Sequence, residues 1–124
     1  MENIDKPDVT IVANNGGTNM QFSLANIKKA IIIIVPENKM NFEYILDGKA
    51  DVFFTDRIEA MYKEKTNPEL IAVNPDHPHD SAEMVYLIPI TNKKLQSKVN
   101  TWLKQVKENG SYNQFLEKAL DTKY

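Results

Sequence analysis

Five consecutive β-branched residues, Ile31, Ile32, Ile33, Ile34 and Val35, constrain the fold of this chain more than any other feature. An unbroken run of this kind belongs to parallel strands buried on both faces, where neither side needs to meet water. Pro36 closes the run, and Lys28 and Lys29 precede it. Residues 30–35 form the most apolar stretch, and it is far too short to span a bilayer, so no membrane insertion is expected.

Parallel strands need crossover helices, and helix and strand signals alternate on both sides of the run. Residues 9–12 read as a short strand and residues 18–29 as a helix leading into the β-branched run. A helix follows over residues 40–46, stopped by Asp47-Gly48, and then a strand over residues 51–55. Residues 57–65 read as the next helix, residues 70–73 as another short strand, and Met84, Val85, Tyr86, Leu87 and Ile88 as a strand ended by Pro89. This βαβαβ rhythm predicts an α/β fold, a mainly parallel three-layer sheet domain over residues 1–90. Residues 91–124 differ in character. Leu95, Val99, Trp102, Leu103 and Val106 mark one face of a helix ending near Gly110, and Ser111 with Gln114 restarts a second helix carrying Phe115, Leu116 and Leu120.

Two strand-to-helix turns carry the candidate chemistry. In Asn14-Asn15-Gly16-Gly17-Thr18-Asn19 the glycines allow a tight turn and close approach of a ligand, and Thr18 with Gln21 has capping-box spacing. After the strand at residues 51–55, Asp56 with Glu59 has the spacing of an acidic N-cap and its partner three residues on. Open α/β sheets bind ligands outside the carboxyl ends of their strands, so the two turns can face one small molecule. The competing reading is local: both pairs serve as helix caps, and Gly16-Gly17 is only a turn.

Composition narrows the partners. A net charge of −2 gives no basic footprint, so nucleic acid is not expected. No cysteine is present, which removes thiol catalysis and Cys-based metal sites and leaves the compartment open. The first ten residues are polar and charged, unlike a signal peptide. Pro75-Asp76-His77-Pro78-His79-Asp80 offers metal-ligand types in a proline-rich connection, and an exposed loop without metal is the expectation. No cofactor is implied.

Taken in order, Gly16-Gly17-Thr18-Asn19, Pro36-Glu37-Asn38, Asp47-Gly48-Lys49-Ala50-Asp51, Thr55-Asp56-Arg57-Ile58-Glu59-Ala60, Pro68-Glu69-Leu70 and Ala82-Glu83 before Tyr86-Leu87-Ile88-Pro89 resemble the cyclohexadienyl dehydratases. These enzymes use the type 2 periplasmic solute-binding fold, and amino-acid-binding subunits of ABC transporters share its glycine-threonine turn and Gly-Lys-Ala-Asp strand entry. The resemblance implies that residues 1–90 correspond to the second lobe of that fold, and that residues 91–124 are helices that return to a first lobe. The arginine that pairs with the ligand carboxylate in the family would lie in that first lobe.

The resemblance also implies roles. Gly17, Thr18 and Asn19 would bind a substrate carboxylate, and Asp56 matches an aspartate that holds a ligand ammonium in the transporter relatives. Glu59 is the expected catalytic acid, protonating the leaving hydroxyl of prephenate or arogenate in a periplasmic parent protein. The alternatives are an amino-acid-binding transport subunit and a fragment without activity that self-associates. Without a first lobe, the apolar faces at Leu95–Leu120 would be left uncovered, and a homodimer exchanging these helices is expected.

Overall fold

The structure is a computed structural model and describes residues 1–121. It divides into two compact units, residues 1–60 and the residues from Met61 onward.

The first unit is built on two parallel strands, β1 (Thr10–Asn14) and β2 (Ile31–Val35), in register from Thr10 opposite Ile31 to Asn14 opposite Val35. Helix α1 (Thr18–Asn26) makes the crossover between them, and α2 (Lys39–Leu46) follows β2. Beyond α2 the chain returns alongside β1, where Ile11 bridges Val52 in the parallel sense. The N–H of Val12 donates to Val52 O at 3.0 Å, and the N–H of Asp51 donates to Thr10 O at 2.8 Å. β1 therefore lies between β2 and the segment at Val52. Its Ile11, Val12 and Ala13 are accordingly buried.

The β-branched run does form the expected strand, but not one covered on both faces. Val35 is buried, whereas Ile31 is 55% exposed and Ile34 43% exposed. As an edge strand paired only with β1 among the described residues, β2 has fewer neighbours to cover its side chains. The strand expected at residues 51–55 also contracts to the single bridge at Val52. Phe53 and Phe54 nonetheless point to different helices, as successive residues of an extended chain do. Phe53 meets Phe42 of α2 edge-on with centroids 4.7 Å apart, and Phe54 meets Phe22 of α1 at 5.0 Å. Val12, Val35 and Ala50 form the centre of the core, with Ile33, Met40, Tyr44, Ile45 and Phe53 packed around them.

Helix boundaries have local causes. α1 stops three residues before the expected Lys29, because Ile27 turns to extended backbone and is buried. The Asp5 carboxylate then accepts from the N–H groups of Lys28, Lys29 and Ala30 at 3.0, 2.6 and 3.0 Å, replacing the helical partners these donors would otherwise need. α2 ends where expected: Gly48 adopts φ 66° and donates to Ile45 O at 3.0 Å.

Helix α3 (Arg57–Thr66) carries the chain into the second unit, whose other helices are α4 (Lys93–Glu108) and α5 (Ser111–Asp121). Asn92 caps α4 by accepting from Leu95 N–H at 3.1 Å, and Gly110, at φ 79°, separates α4 from α5. Lys65 near the end of α3 pairs with Asp121. The strands expected at residues 70–73 and 84–88 do not form among the described residues. A strand gains its backbone hydrogen bonds only from a neighbour, and none pairs with these segments. Ile71, Val73, Met84 and Leu87 are 78%, 77%, 92% and 97% exposed. The helix pair closes in part on itself, burying Val106 and Leu120, while Leu95, Trp102 and Phe115 stay exposed. No helix of the described residues is long and apolar enough to cross a membrane.

Candidate functional site

Both chemistry-bearing turns belong to the first unit. At the end of β1, Gly16 takes φ 77°, a left-handed conformation that favours glycine, and the chain enters α1. Gly17, not Thr18, is the N-cap, and it has no side chain with which to cap. The expected Thr18–Gln21 capping box is therefore absent: Thr18 is already the first helical residue, with its side chain exposed. The orphaned N–H groups of the first turn and the positive end of the helix dipole coincide at this point, an arrangement suited to a carboxylate. Asn19, half-buried, uses its carbonyl to accept from Ser23 Oγ at 2.8 Å.

The second turn also departs from the capping reading. Glu59 does not reach back to the backbone ahead of α3. Its Oε2 accepts from the Thr55 hydroxyl, and its Oε1 accepts from Asn38 Nδ2 at 3.1 Å. Glu59 is only partly exposed, whereas Asp56 is exposed at the helix entry, its carbonyl accepting from Ala60 N–H at 3.0 Å. The two acids differ accordingly. Glu59 is held on both oxygens, and Asp56 presents its carboxylate to solvent.

Three asparagines complete the arrangement. Asn41, buried at 1% exposure in α2, donates from Nδ2 to Asn14 Oδ1 and to Asn38 Oδ1, both at 3.2 Å. Asn14 in turn lies over the Gly16-Gly17 turn: a Cβ added to Gly17 would come within 3.1 Å of Asn14 Nδ2. The structure thus brings Glu59, one of the expected site residues, onto a hydrogen-bonded chain with Asn38, Asn41 and Asn14, and Asn14 lies beside Gly17, another of them. Thr18, Asn19 and Asp56 flank this chain without joining it. The asparagine chain went unexpected from sequence, and its one signal there was a polar residue, Asn41, set between Met40 and Phe42. Around His77 and His79, as elsewhere among the described residues, no group of three or more His, Cys, Asp or Glu side chains is gathered.

No protein-family model matches the chain. Over its full 124 residues it is 42% identical to a cyclohexadienyl dehydratase of Pseudomonas aeruginosa, of which it spans 46%. A crystal structure of an ancestral cyclohexadienyl dehydratase superposes with a TM-score of 0.60 at 39% identity, over 98% of this chain and 50% of that one. This is a cyclohexadienyl dehydratase-like chain with the type 2 periplasmic-binding-protein fold. An ancestral amino-acid-binding protein that is a precursor of cyclohexadienyl dehydratase matches at 28% identity with a TM-score of 0.67, and an ancestral cationic amino acid solute-binding protein at 27% and 0.72. Each of these two matches covers 94% of the dehydratase-like chain and 49% of the solved one. The chain spans about half the length of the relatives it matches.

Proposed function

We propose that this chain forms part of a periplasmic dehydratase in which Glu59 is the general acid for prephenate or arogenate. The observation that supports it most is the seat of Glu59, partly buried and oriented through both carboxyl oxygens by Thr55 and Asn38 on the unit that also carries the Gly17–Thr18 turn. The substrate carboxylate docks on the Thr18 hydroxyl and the N–H groups opening α1. Glu59 then gives its proton to the leaving ring hydroxyl as the carbon–oxygen bond breaks. Loss of carbon dioxide supplies the electron pair that completes the aromatic ring. Water exclusion over the site comes from the rest of the protein, since the relatives are about twice as long.

A second reading is amino-acid binding without turnover. Its support is the pair of amino-acid-binding proteins among the structural matches, together with the exposed Asp56, suitably placed at a helix entry to hold an ammonium. The full-length protein separates the two. Glu59→Gln is expected to lower the rate of phenylpyruvate or phenylalanine formation by a factor of about a hundred or more. Asp56→Asn is expected to weaken binding of amine-bearing ligands instead. Tight amino-acid binding by calorimetry with no turnover of either substrate establishes the second reading, and near-normal turnover by Glu59→Gln places the acid elsewhere.

A further inference from the structure

Asn41 is difficult to explain as packing. It is almost fully buried in α2, beside the buried Phe42, and its Oδ1 has no hydrogen-bond partner. Leaving a buried acceptor unsatisfied destabilises the fold, a cost that an apolar residue of similar volume would avoid. What the amide does provide is direction. Both protons of Nδ2 are committed, one to Asn14 Oδ1 and one to Asn38 Oδ1.

An amide has a donor end and an acceptor end, so fixing one end fixes the other. Asn14, at the Gly16-Gly17 turn, offers its oxygen and holds Asn41 as a donor. Asn41 therefore holds the oxygen of Asn38 towards itself, and the Asn38 NH2 group faces Glu59 Oε1. Residues 38 and 41 lie three apart at the start of α2, which puts them on one helix face. Asn38 alone, an exposed side chain on a free rotor, would have no reason to hold this orientation. With the Asn38 amide fixed on Oε1 and the Thr55 hydroxyl donating to Oε2, the Glu59 carboxyl is held in one orientation. Both are donors, the arrangement that stabilises the carboxylate left after proton transfer.

We propose that Asn41 and Asn38 are positioning residues that orient the Glu59 carboxyl from the turn at Asn14. The inference rests on Glu59 being the acid, and its test has one arm that does not depend on turnover. In the full-length protein, Asn41→Leu and Asn38→Ala are each expected to lower kcat about tenfold or more with little change in KM, although Asn41 does not touch Glu59. The double variant is expected to be no slower than the slower single one, and neither substitution should slow Glu59→Gln further. In parallel, the Asn14 side-chain amide is followed by two-dimensional 15N–1H NMR. Its cross-peaks are expected to shift on Glu59→Gln in the wild-type background and to stop responding once Asn41 is Leu. A response that persists in Asn41→Leu overturns the proposal, as does an unchanged kcat in Asn41→Leu and Asn38→Ala. If Asn41→Leu fails to fold, Asn38→Ala and Asn38→Asp at the exposed position carry both arms. Should Glu59→Gln keep normal turnover, the assignment of the acid falls, and the amide response alone decides whether the asparagine chain couples the two turns.

Discussion

The first unit and the second are of similar size and differ in how they spend their apolar residues. In residues 1–60 the large side chains converge: Ile11, Val12 and Val35 are at most 2% exposed, and Phe42 and Phe53 lock α2 to the segment beyond Val52. From Met61 onward, the most exposed large apolar residues lie in a segment that the sequence reads as a strand, Leu87 at 97% and Met84 at 92%. The difference teaches where each unit's information lies. The first carries its own core and the polar chain from Asn14 to Glu59. The second carries a helix pair and extended segments whose large apolar side chains are exposed.

The largest expected effect tests that exposure. Covering Met84, Leu87 and Ile90 alone is worth about 4.5–9 kcal/mol at the usual value for a large apolar side chain, comparable with the stability of a whole small domain. The 124-residue chain on its own is therefore expected to form a dimer through α4 and α5, where Leu95, Trp102 and Phe115 remain exposed. Light scattering should report twice the 14.2 kDa mass, and Trp102→Lys should return a monomer or an aggregate. A monomer at high concentration in the wild type would break the comparison, since the second unit would then tolerate its exposed surface unaided.

A smaller effect is expected from matched truncations in the two units. Phe42→Ala removes a buried ring that meets Phe53 edge-on, and should destabilise the first unit by about 3–5 kcal/mol. Leu87→Ala removes a side chain that already lies in water, and should change stability by less than about 0.5 kcal/mol in the monomer. Urea titrations of the two variants in the Trp102→Lys background read the difference directly. Equal losses would mean that residues 84–90 pack in solution.

The same contrast explains what was legible in the sequence. All five helices were, because hydrophobic spacing and stop signals such as Asp47-Gly48 act over a few residues and need no distant partner. β1 and β2 were legible because each supplies the other's ladder. The segments at 70–73 and 84–88 carry strand composition, but β-propensity measures fit to a sheet and cannot supply a neighbour. At the site, Glu59 was legible as an acid after a strand. Its partners were not: capping spacing assigned it to its own backbone, whereas Thr55 and Asn38 hold it. Asn38 and Asn41 were hidden because asparagine near a helix start ordinarily reads as a cap, and only the fold brings Asn14 to them.

The smallest expected effect concerns the seam that ties the N-terminal residues to the first unit. The N–H of Lys29, then those of Ala30 and Lys28, donate to Asp5, and with the Lys29 charge they hold its carboxyl below the ordinary aspartate range. A depressed folded-state pKa means that the native state binds the proton less readily than the unfolded chain. The stabilisation from this carboxylate is therefore fully present above the unfolded value of about 3.9, and it is lost as the pH falls through the folded value. Asp5→Asn keeps an acceptor oxygen and removes only the charge. The melting temperature of the wild type should exceed that of Asp5→Asn at neutral pH, with the gap closing as both are taken below the unfolded value. No comparable pH-dependent gap is expected from substitutions in α4 or α5. A gap that stays constant down to pH 2 would show that the three N–H groups need only an acceptor there, and that the negative charge of Asp5 contributes nothing to joining α1 to β2.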